Sequence, residues 1–319
     1  MPTETDLESP VNSGLQSQLY DKGMPGSPLS PSPRAFSRRN FFKFGTFGVL
    51  GLAVYSSEIE RHWLEVTRRD VVIAGLPAEF DGLKIAQLSD IHLDEFTEPF
   101  FLRDAVRHVN LLDPDMVFLT GDYVTHEIGS KKFAIGAAWQ CADILQGLKC
   151  RRIYASLGNH DISVGAEHVM TALGDNGITV LRNSYVPLER GSSRIWLSGL
   201  DDPVAGSPDP DRAVPTSIRN IPGEPIIVLC HAPDYVRNLA AQPAGRAVSL
   251  VLSGHTHGGQ IRLPLVGPVV LPPGGKLFPE GSYRLGRMQL YVNRGLGTVG
   301  VPFRLDCPPE LTLHTMRRA

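Results

Sequence analysis

The sequence predicts an α/β fold, and three observations carry that prediction. From residue 83 onward, short apolar runs of strand length alternate with stretches of helical periodicity. Apolar residues make up 42% of the 319, enough for a real core in one large domain or two modest ones. An Asp, Asn or His follows the carboxyl end of five of the predicted strands, where open α/β sheets place their ligand crevices.

Residues 1–36 are rich in Ser, Pro and Gly with few large apolar groups, so they are expected to be disordered. Next comes Ser37-Arg38-Arg39-Asn40-Phe41-Phe42-Lys43, then an uncharged run over 44–57 diluted by Gly45, Gly48 and Gly51. That run is shorter than the roughly 20 residues a spanning helix needs and suits a signal-peptide core. Paired arginines before a mild apolar run resemble a twin-arginine export signal. The plainer alternative is an arginine pair before an ordinary buried helix. Val54-Tyr55-Ser56 is a weak cleavage site, so 37–57 could persist as a short anchor that associates with a membrane through 44–57. Translation from Met24 would leave a leader of more usual length. The expectation is a protein handled by the twin-arginine machinery and exported to the periplasm or cell envelope.

Residues 58–80 lead in, extended over 66–73, and the main domain is expected over 81–319. Strands are predicted at 83–88, 116–120, 153–157, 195–200, 226–230 and 248–253, with closing strands at 289–293 and 310–316. Helices are predicted at 100–112, 133–148 and 167–176. The net charge of −2 offers no general attraction to nucleic acid or anionic membranes, so any anion binding must be local. Cys141, Cys150, Cys230 and Cys307 have no zinc-ribbon or redox spacing. Cys230 adjoins His231 and is either a ligand or a buried inert thiol.

The strand ends carry Asp90-Ile91-His92, Gly121-Asp122, Gly158-Asn159-His160-Asp161, His231 and Gly254-His255-Thr256-His257. On a helix, side chains two positions apart diverge by about 200°. In an extended or turning segment His255 and His257, like Asp90 and His92, can each reach one of two neighbouring cations. Alone, a His-x-His pair also fits surface or packed histidines. Asp122 has two carboxylate oxygens and can span ions held roughly 3.5–4 Å apart; alone, Gly-Asp is also a common cap or turn. Asn159 offers a neutral amide oxygen. Two divalent ions carry four positive charges, and Asp90, Asp122 and a bridging hydroxide remove three. The remainder attracts a phosphate anion. His160 should point elsewhere, toward a leaving group, as general acid or as a hydrogen-bond donor to the phosphate; an ordinary histidine titrates near about 6.5, suited to this. Asp161 either orients it or caps the following helix.

These elements, in this order, resemble the calcineurin-like metallophosphoesterases: Asp-x-His, Gly-Asp, Gly-Asn-His-Asp/Glu, a separate His, and Gly-His-x-His. The likeness extends to Gly258-Gly259-Gln260-Ile261 and Asn293-Arg294-Gly295-Leu296-Gly297, and the leader is similar to the exported, cell-envelope branch. The resemblance implies two mixed β-sheets packed as a sandwich and flanked by helices. It implies two divalent metal ions, one held by Asp90, His92 and His257, the other by Asn159, His231 and His255, with Asp122 bridging. It also implies hydrolysis of a phosphodiester or pyrophosphate by a metal-bound hydroxide, with His160 aiding departure. The sulfur-free donors suit manganese, iron or zinc; folding before export would permit loading in the cytoplasm, which puts manganese foremost.

The motifs fix chemistry, not substrate, which is a phosphate-ester small molecule or a lipid-linked one, with no specific nucleic acid. Phe96, Phe100 and Phe101 could meet an acyl chain or base, or pack in the core. Residues 263–279, rich in Pro, Gly and aliphatics, are either a loop beside the cleft or a connection. Arg262 and Arg294 could contact phosphate or lie on the surface. Two alternatives stand beside the general phosphoesterase: a pyrophosphohydrolase of nucleotide-linked lipid precursors, and a non-catalytic exported metal-binding module.

Overall fold

The computed structural model describes residues 38–94, 96–126 and 131–319. The expectations of disorder over 1–36 and of a start at Met24 lie outside the described residues. The chain divides into two compact units, residues 1–46 and 47–319. Helix α1 (Arg38–Val54) continues into a wide turn at Tyr55–Ile59. Among the described residues, no helix is long and apolar enough to cross a membrane.

The larger unit is built on two six-stranded mixed sheets. In the first, β1 (Glu65–Ile73) pairs parallel with β14 (Glu310–Arg318), which runs antiparallel to β2 (Lys84–Leu88). Then β3 (Met116–Thr120), β4 (Ile153–Ser156) and β5 (Thr179–Val180) follow β2 in parallel. In the second, β12 (Gly281–Leu285) is antiparallel to β13 (Met288–Val292). Strands β9 (Val248–Ser253), β8 (Ile226–Leu229) and β7 (Ser193–Gly199) continue in parallel, and β6 (Ser184–Arg190) closes the edge antiparallel to β7.

Strand alternation sorts the core into layers. Ile85, Met116 and Phe118 of the first sheet and Leu229, Leu250 and Leu252 of the second share one apolar cluster between the sheets. The opposite face of the first sheet, with Ala86, Leu88, Val117 and Leu119, packs under α2 (Pro99–Leu112), α3 (Lys131–Leu145) and α4 (Asn159–Asp175). Small helices α5 (Pro210–Ala213), α6 (Val236–Ala241) and α7 (Pro243–Arg246) cover the second sheet. Strands buried on both faces read as continuous apolar runs rather than alternation, which is why they are legible in the sequence.

Three differences have local causes. Helix α4 starts at Asn159, not near 167, because Gly165 at φ 134 interrupts its periodicity. Edge strand β6 buries only Leu188 and carries Pro187, tolerated at an edge. Strand β12 buries no residue fully, so it leaves little apolar pattern.

Candidate metal centre

Every sequence-predicted site residue lies past a strand's carboxyl end. Asp90 and His92 follow β2, Asp122 follows β3, and Asn159 and His160 follow β4. His231 follows β8, and His255 and His257 follow β9. The centre thus draws on both sheets.

The backbone there is unusual. Asp90 (φ 49), His92 (φ 46), Asp122 (φ 55), His255 (φ 73) and His257 (φ 51) all occupy the left-handed region, disfavoured for side chains with a Cβ. Such conformations persist only where the surroundings over-determine them. Here they do. Asp90 N–H donates to Gly121 O (2.9 Å), His92 N–H to Asp122 O (3.0 Å) and Gly297 N–H to Asp90 O (2.7 Å). Asp90 Oδ1 in turn accepts His255 N–H at 2.9 Å. Glycines allow this crowding: a Cβ on Gly254 would strike Ser89 Oγ and Asp90 Oδ2, and one on Gly121 would come within 2.6 Å of Gly158 N.

Each of the four imidazoles sets one nitrogen against a protein partner and turns the other inward. His231 Nδ1–H donates to Thr120 O at 2.6 Å. His92 Nδ1–H donates to Thr125 Oγ1 at 3.0 Å, and that hydroxyl donates onward to Asp94. His255 Nε2–H donates to Pro273 O at 2.8 Å, and His257 Nδ1 faces Gly297 O at 3.3 Å. A second partner of this kind fixes tautomer and ring orientation at metal sites.

The inward atoms meet closely. His92 Nε2 and His257 Nε2 are 3.1 Å apart, although both carry lone pairs. Asp122 Oδ2 lies 3.0 Å from His231 Nε2 and 3.5 Å from His92 Nε2. Asp90 Oδ1 is 3.5 Å from His257 Nε2. Donor atoms of Asp90, His92 and His257 lie within 4.8 Å of one another, as do those of Asp122, His231 and His255. Asn159 Oδ1 and His231 Nε2 are buried without an aligned hydrogen bond. Unsatisfied buried acceptors are expensive, and facing lone pairs repel; a cation in each group resolves both. The residues therefore fit two divalent ions.

Charge follows the same geometry. Burial works against the Asp122 carboxylate, but the imidazoles of His231, His160 and His92 outweigh it and hold its pKa well below the usual range. Burial likewise disfavours a charged His231, yet Asp122 lifts its pKa well above the ordinary value. Burial pushes His92 well down and His257 down to about 4.

His160 does not stand apart from the metal-capable cluster. Its ring packs edge-on 4.8 Å from that of His92, and its nitrogen lies within 4.8 Å of donor atoms of His92 and Asp122. Its Nδ1 accepts the His126 N–H at 3.2 Å. Asp161 is a cap and a brace rather than a partner of the His160 ring: its carboxylate accepts the N–H groups of Gly158 (2.9 Å), Asp122 (2.8 Å) and Tyr123 (2.9 Å). Burial and the neighbouring Asp122 raise its pKa to about 8.

The sequence left several supporting residues unidentified. Arg304 is wholly buried and donates to the carbonyls of Arg294, Gly295, Gly297 and Cys307, fixing the loop that cradles Asp90. Nothing but a lone basic residue near Pro302 hinted at it. Asp94, Thr125 and His126 act through loops whose sequence carries no period. Asp202 is buried after β7 and raised by burial. Gln260 braces the same loop through Val299 and Val301, and Asn293 ties it to Thr312, which explains the two glycine-rich tail motifs.

Other candidates settle plainly. Cys230 packs in an apolar cluster with its thiol pushed up by burial, and all four cysteines are free. Arg262 pairs with Glu280, and Arg294 with Glu65. Phe101 is buried and Phe100 exposed, both beside His62. Residues 263–279 do border the cleft: Val269, Val270, Pro272 and Pro273 form one wall of a cavity of about 490 Å³ that opens onto Asp122, Asn159, His160 and His255. A larger cavity, about 740 Å³ near Arg246 and Arg284, holds none of the predicted site residues.

A model of one family, Calcineurin-like phosphoesterase, matches residues 83–259, the segment that carries all five motifs. The chain belongs to the calcineurin-like phosphoesterase family. It is 34% identical over 295 residues to the uncharacterized metallophosphoesterase YkuE of Bacillus subtilis, covering 89% of this chain and 99% of that one. It is 33% identical to the phosphodiesterase YaeI of Escherichia coli, over 81% of this chain and 90% of the relative. Similarity to the UDP-2,3-diacylglucosamine pyrophosphatase LpxG of Chlamydia muridarum is 26%, over 82% of this chain and 91% of the relative. As a calcineurin-like phosphoesterase the protein is a hydrolase of phosphate esters, and the family's use of divalent metals matches the clustered donors.

Proposed function

We propose that the protein is a binuclear phosphoesterase that hydrolyses a phosphodiester or pyrophosphate bond, with Asp90, His92 and His257 holding one ion, Asn159, His231 and His255 the other, and Asp122 both. The observation that carries this reading is the convergence of inward ring nitrogens around the Asp122 carboxylate, at the floor of a cavity. Divalent ions bound there supply Lewis acidity and an activated water nucleophile.

The chain's own residues do the rest. Asp122 Oδ1 accepts the His160 N–H at 2.9 Å, so the bridging carboxylate also positions the start of α4. Because His160 Nδ1 accepts from His126, its proton sits on Nε2, the ring's available donor toward a departing oxygen. Burial favours the neutral forms of His92, His255 and His257, which keeps their lone pairs for metal, whereas His231, raised by Asp122, would give up its proton to a cation. Residues Ile261, Val269 and Val270 line one side of the cavity with apolar surface.

A second reading has a specific observation behind it. The cavity wall is largely aliphatic, which suits a substrate with an acyl group, and LpxG by its name acts on a diacylated nucleotide sugar. Paired Arg38 and Arg39 support export by the twin-arginine route to the envelope, and cytoplasmic folding supports manganese. The test is hydrolysis of bis(p-nitrophenyl) phosphate and of a lipid-linked pyrophosphate by manganese-loaded protein, with metal content of freshly purified material. Absence of turnover on every phosphoester would remove the proposal, and a zinc-only content would remove manganese.

A further inference from the structure

The segment that walls the cavity turns outward into an apolar hairpin. Strand β10 (Arg262–Leu263) pairs antiparallel with β11 (Gly267–Pro268). At the tip, Leu265 has φ 67, disfavoured for a branched side chain, and it is fully exposed at 108%. Val266 is 72% exposed and Val270 71%. From Leu263 to Leu271 there is no charged residue. A turn facing only water has polar alternatives for each of these positions, whereas contiguous exposed apolar groups mark an interaction surface.

The surface continues on both sides. Inward, Val269 and Val270 line the catalytic cavity. Outward, Leu263 and Pro264 share a depression of about 660 Å³ with Leu52, Tyr55 and Trp63. Trp63 is 63% exposed and Leu50, upstream on α1, 57%. Of the carboxylates bordering this depression, Glu65 pairs with Arg294 and Glu60 accepts the Cys307 N–H, while Asp306 is exposed.

We infer that this face docks on a lipid bilayer surface, with the hairpin tip inserted at the headgroup level beside the mouth of the cavity. Three features select lipid. Amphipathic aromatics such as Trp63 and Tyr55 settle at membrane interfaces. The apolar residues of α1 follow Arg34, Arg38, Arg39 and Lys43 in the sequence, a local positive cluster that complements anionic headgroups despite the near-neutral whole. The exposed apolar residues of α1, among them Leu50 and Leu52, suit a helix lying in the interface. Resting on the phosphoesterase reading, the arrangement lets an amphiphilic phosphoester pass from the bilayer along the hairpin wall to the metal centre.

The test uses full-length protein and the variant Leu265→Asp/Val266→Asp, neither position lining the cavity. Binding to phosphatidylcholine–phosphatidylglycerol vesicles is read by co-sedimentation, and hydrolysis of soluble bis(p-nitrophenyl) phosphate is read separately. The expected result is that the unaltered protein sediments with vesicles and the variant partitions at least about tenfold more weakly, since two aliphatic contacts are replaced by charges. Soluble-substrate turnover stays unchanged and shows that the variant is folded. Failure of the unaltered protein to bind vesicles, or equal binding by both, overturns the inference. A solution dimer that the double substitution dissociates reassigns the face to a second copy and overturns it too. Vesicle binding without any hydrolysis would fault the proposed activity and leave the docking intact.

Discussion

Replacing Asp122 by Asn tests the centre most directly, because the change keeps shape and removes charge. Asp122 is 2% exposed and has His231 Nε2 at 3.0 Å and His92 Nε2 at 3.5 Å. A unit charge pair about 3 Å apart at an effective dielectric of 20 attracts by about 5 kcal/mol. The amide dipole of Asn recovers part of this, so roughly 4 kcal/mol is lost, about a thousandfold in rate. The Oδ1 contact to the His160 N–H survives, because an amide oxygen still accepts, so α4 keeps its place. Stopped assays with bis(p-nitrophenyl) phosphate at saturating manganese should show the fall in kcat. Metal analysis by mass spectrometry should show fewer than two ions per chain, with circular dichroism unchanged. Asp122→Asn protein with activity within tenfold of the parent and two ions bound would refute the bridging role.

Three further outcomes follow from the same geometry. His160→Ala should lower kcat about a hundredfold or more with metal content retained, and the loss should shrink for esters with good leaving groups; a uniform loss across leaving groups would count against proton donation. Burial holds the His257 pKa to about 4, below its ordinary 6.5, so the unfolded chain takes up the proton first. The His257 contribution to the stability of chelator-treated protein should be full above about pH 6.5 and fall as pH drops toward 4, read as the difference in thermal melts between the parent and His257→Gln protein across that range; a pH-independent difference would contradict the depressed pKa. Gly254→Ala places a methyl against Ser89 Oγ and Asp90 Oδ2 and should destabilise by about 1–3 kcal/mol while weakening manganese uptake, both measurable by melting with and without metal.

Much of this protein is legible in its sequence because two-sided burial writes itself as apolar runs. Strands β2, β3, β8 and β9 are such runs, and each ends on a residue of the centre. The tight turns that aim those residues were signalled by Gly121 and Gly254, where backbone approach leaves no room for a side chain. The edge strands of the second sheet were not legible. Strands β6 and β12 bury at most one side chain fully and so leave no apolar run. The supports of the centre were hidden for another reason. Arg304, Thr125 and Asp94 reach it through loops, and a hydrogen bond between distant loops has no period. His160 was identified by its neighbours in sequence, yet its place beside His92 depends on how α4 enters, which Asn159 and Gly158 do not reveal by type.

The strained left-handed conformations gather where the two sheets supply opposite halves of one polar cluster. Asp90, His92, Asp122 and Asn159 rise from the first sheet, and His231, His255 and His257 from the second. An ion gripped from both sides is a clasp through the sandwich. Whatever strips it loosens the joint between the layers, so chelation should be felt as softening of the whole scaffold and not only as silence at the reaction centre.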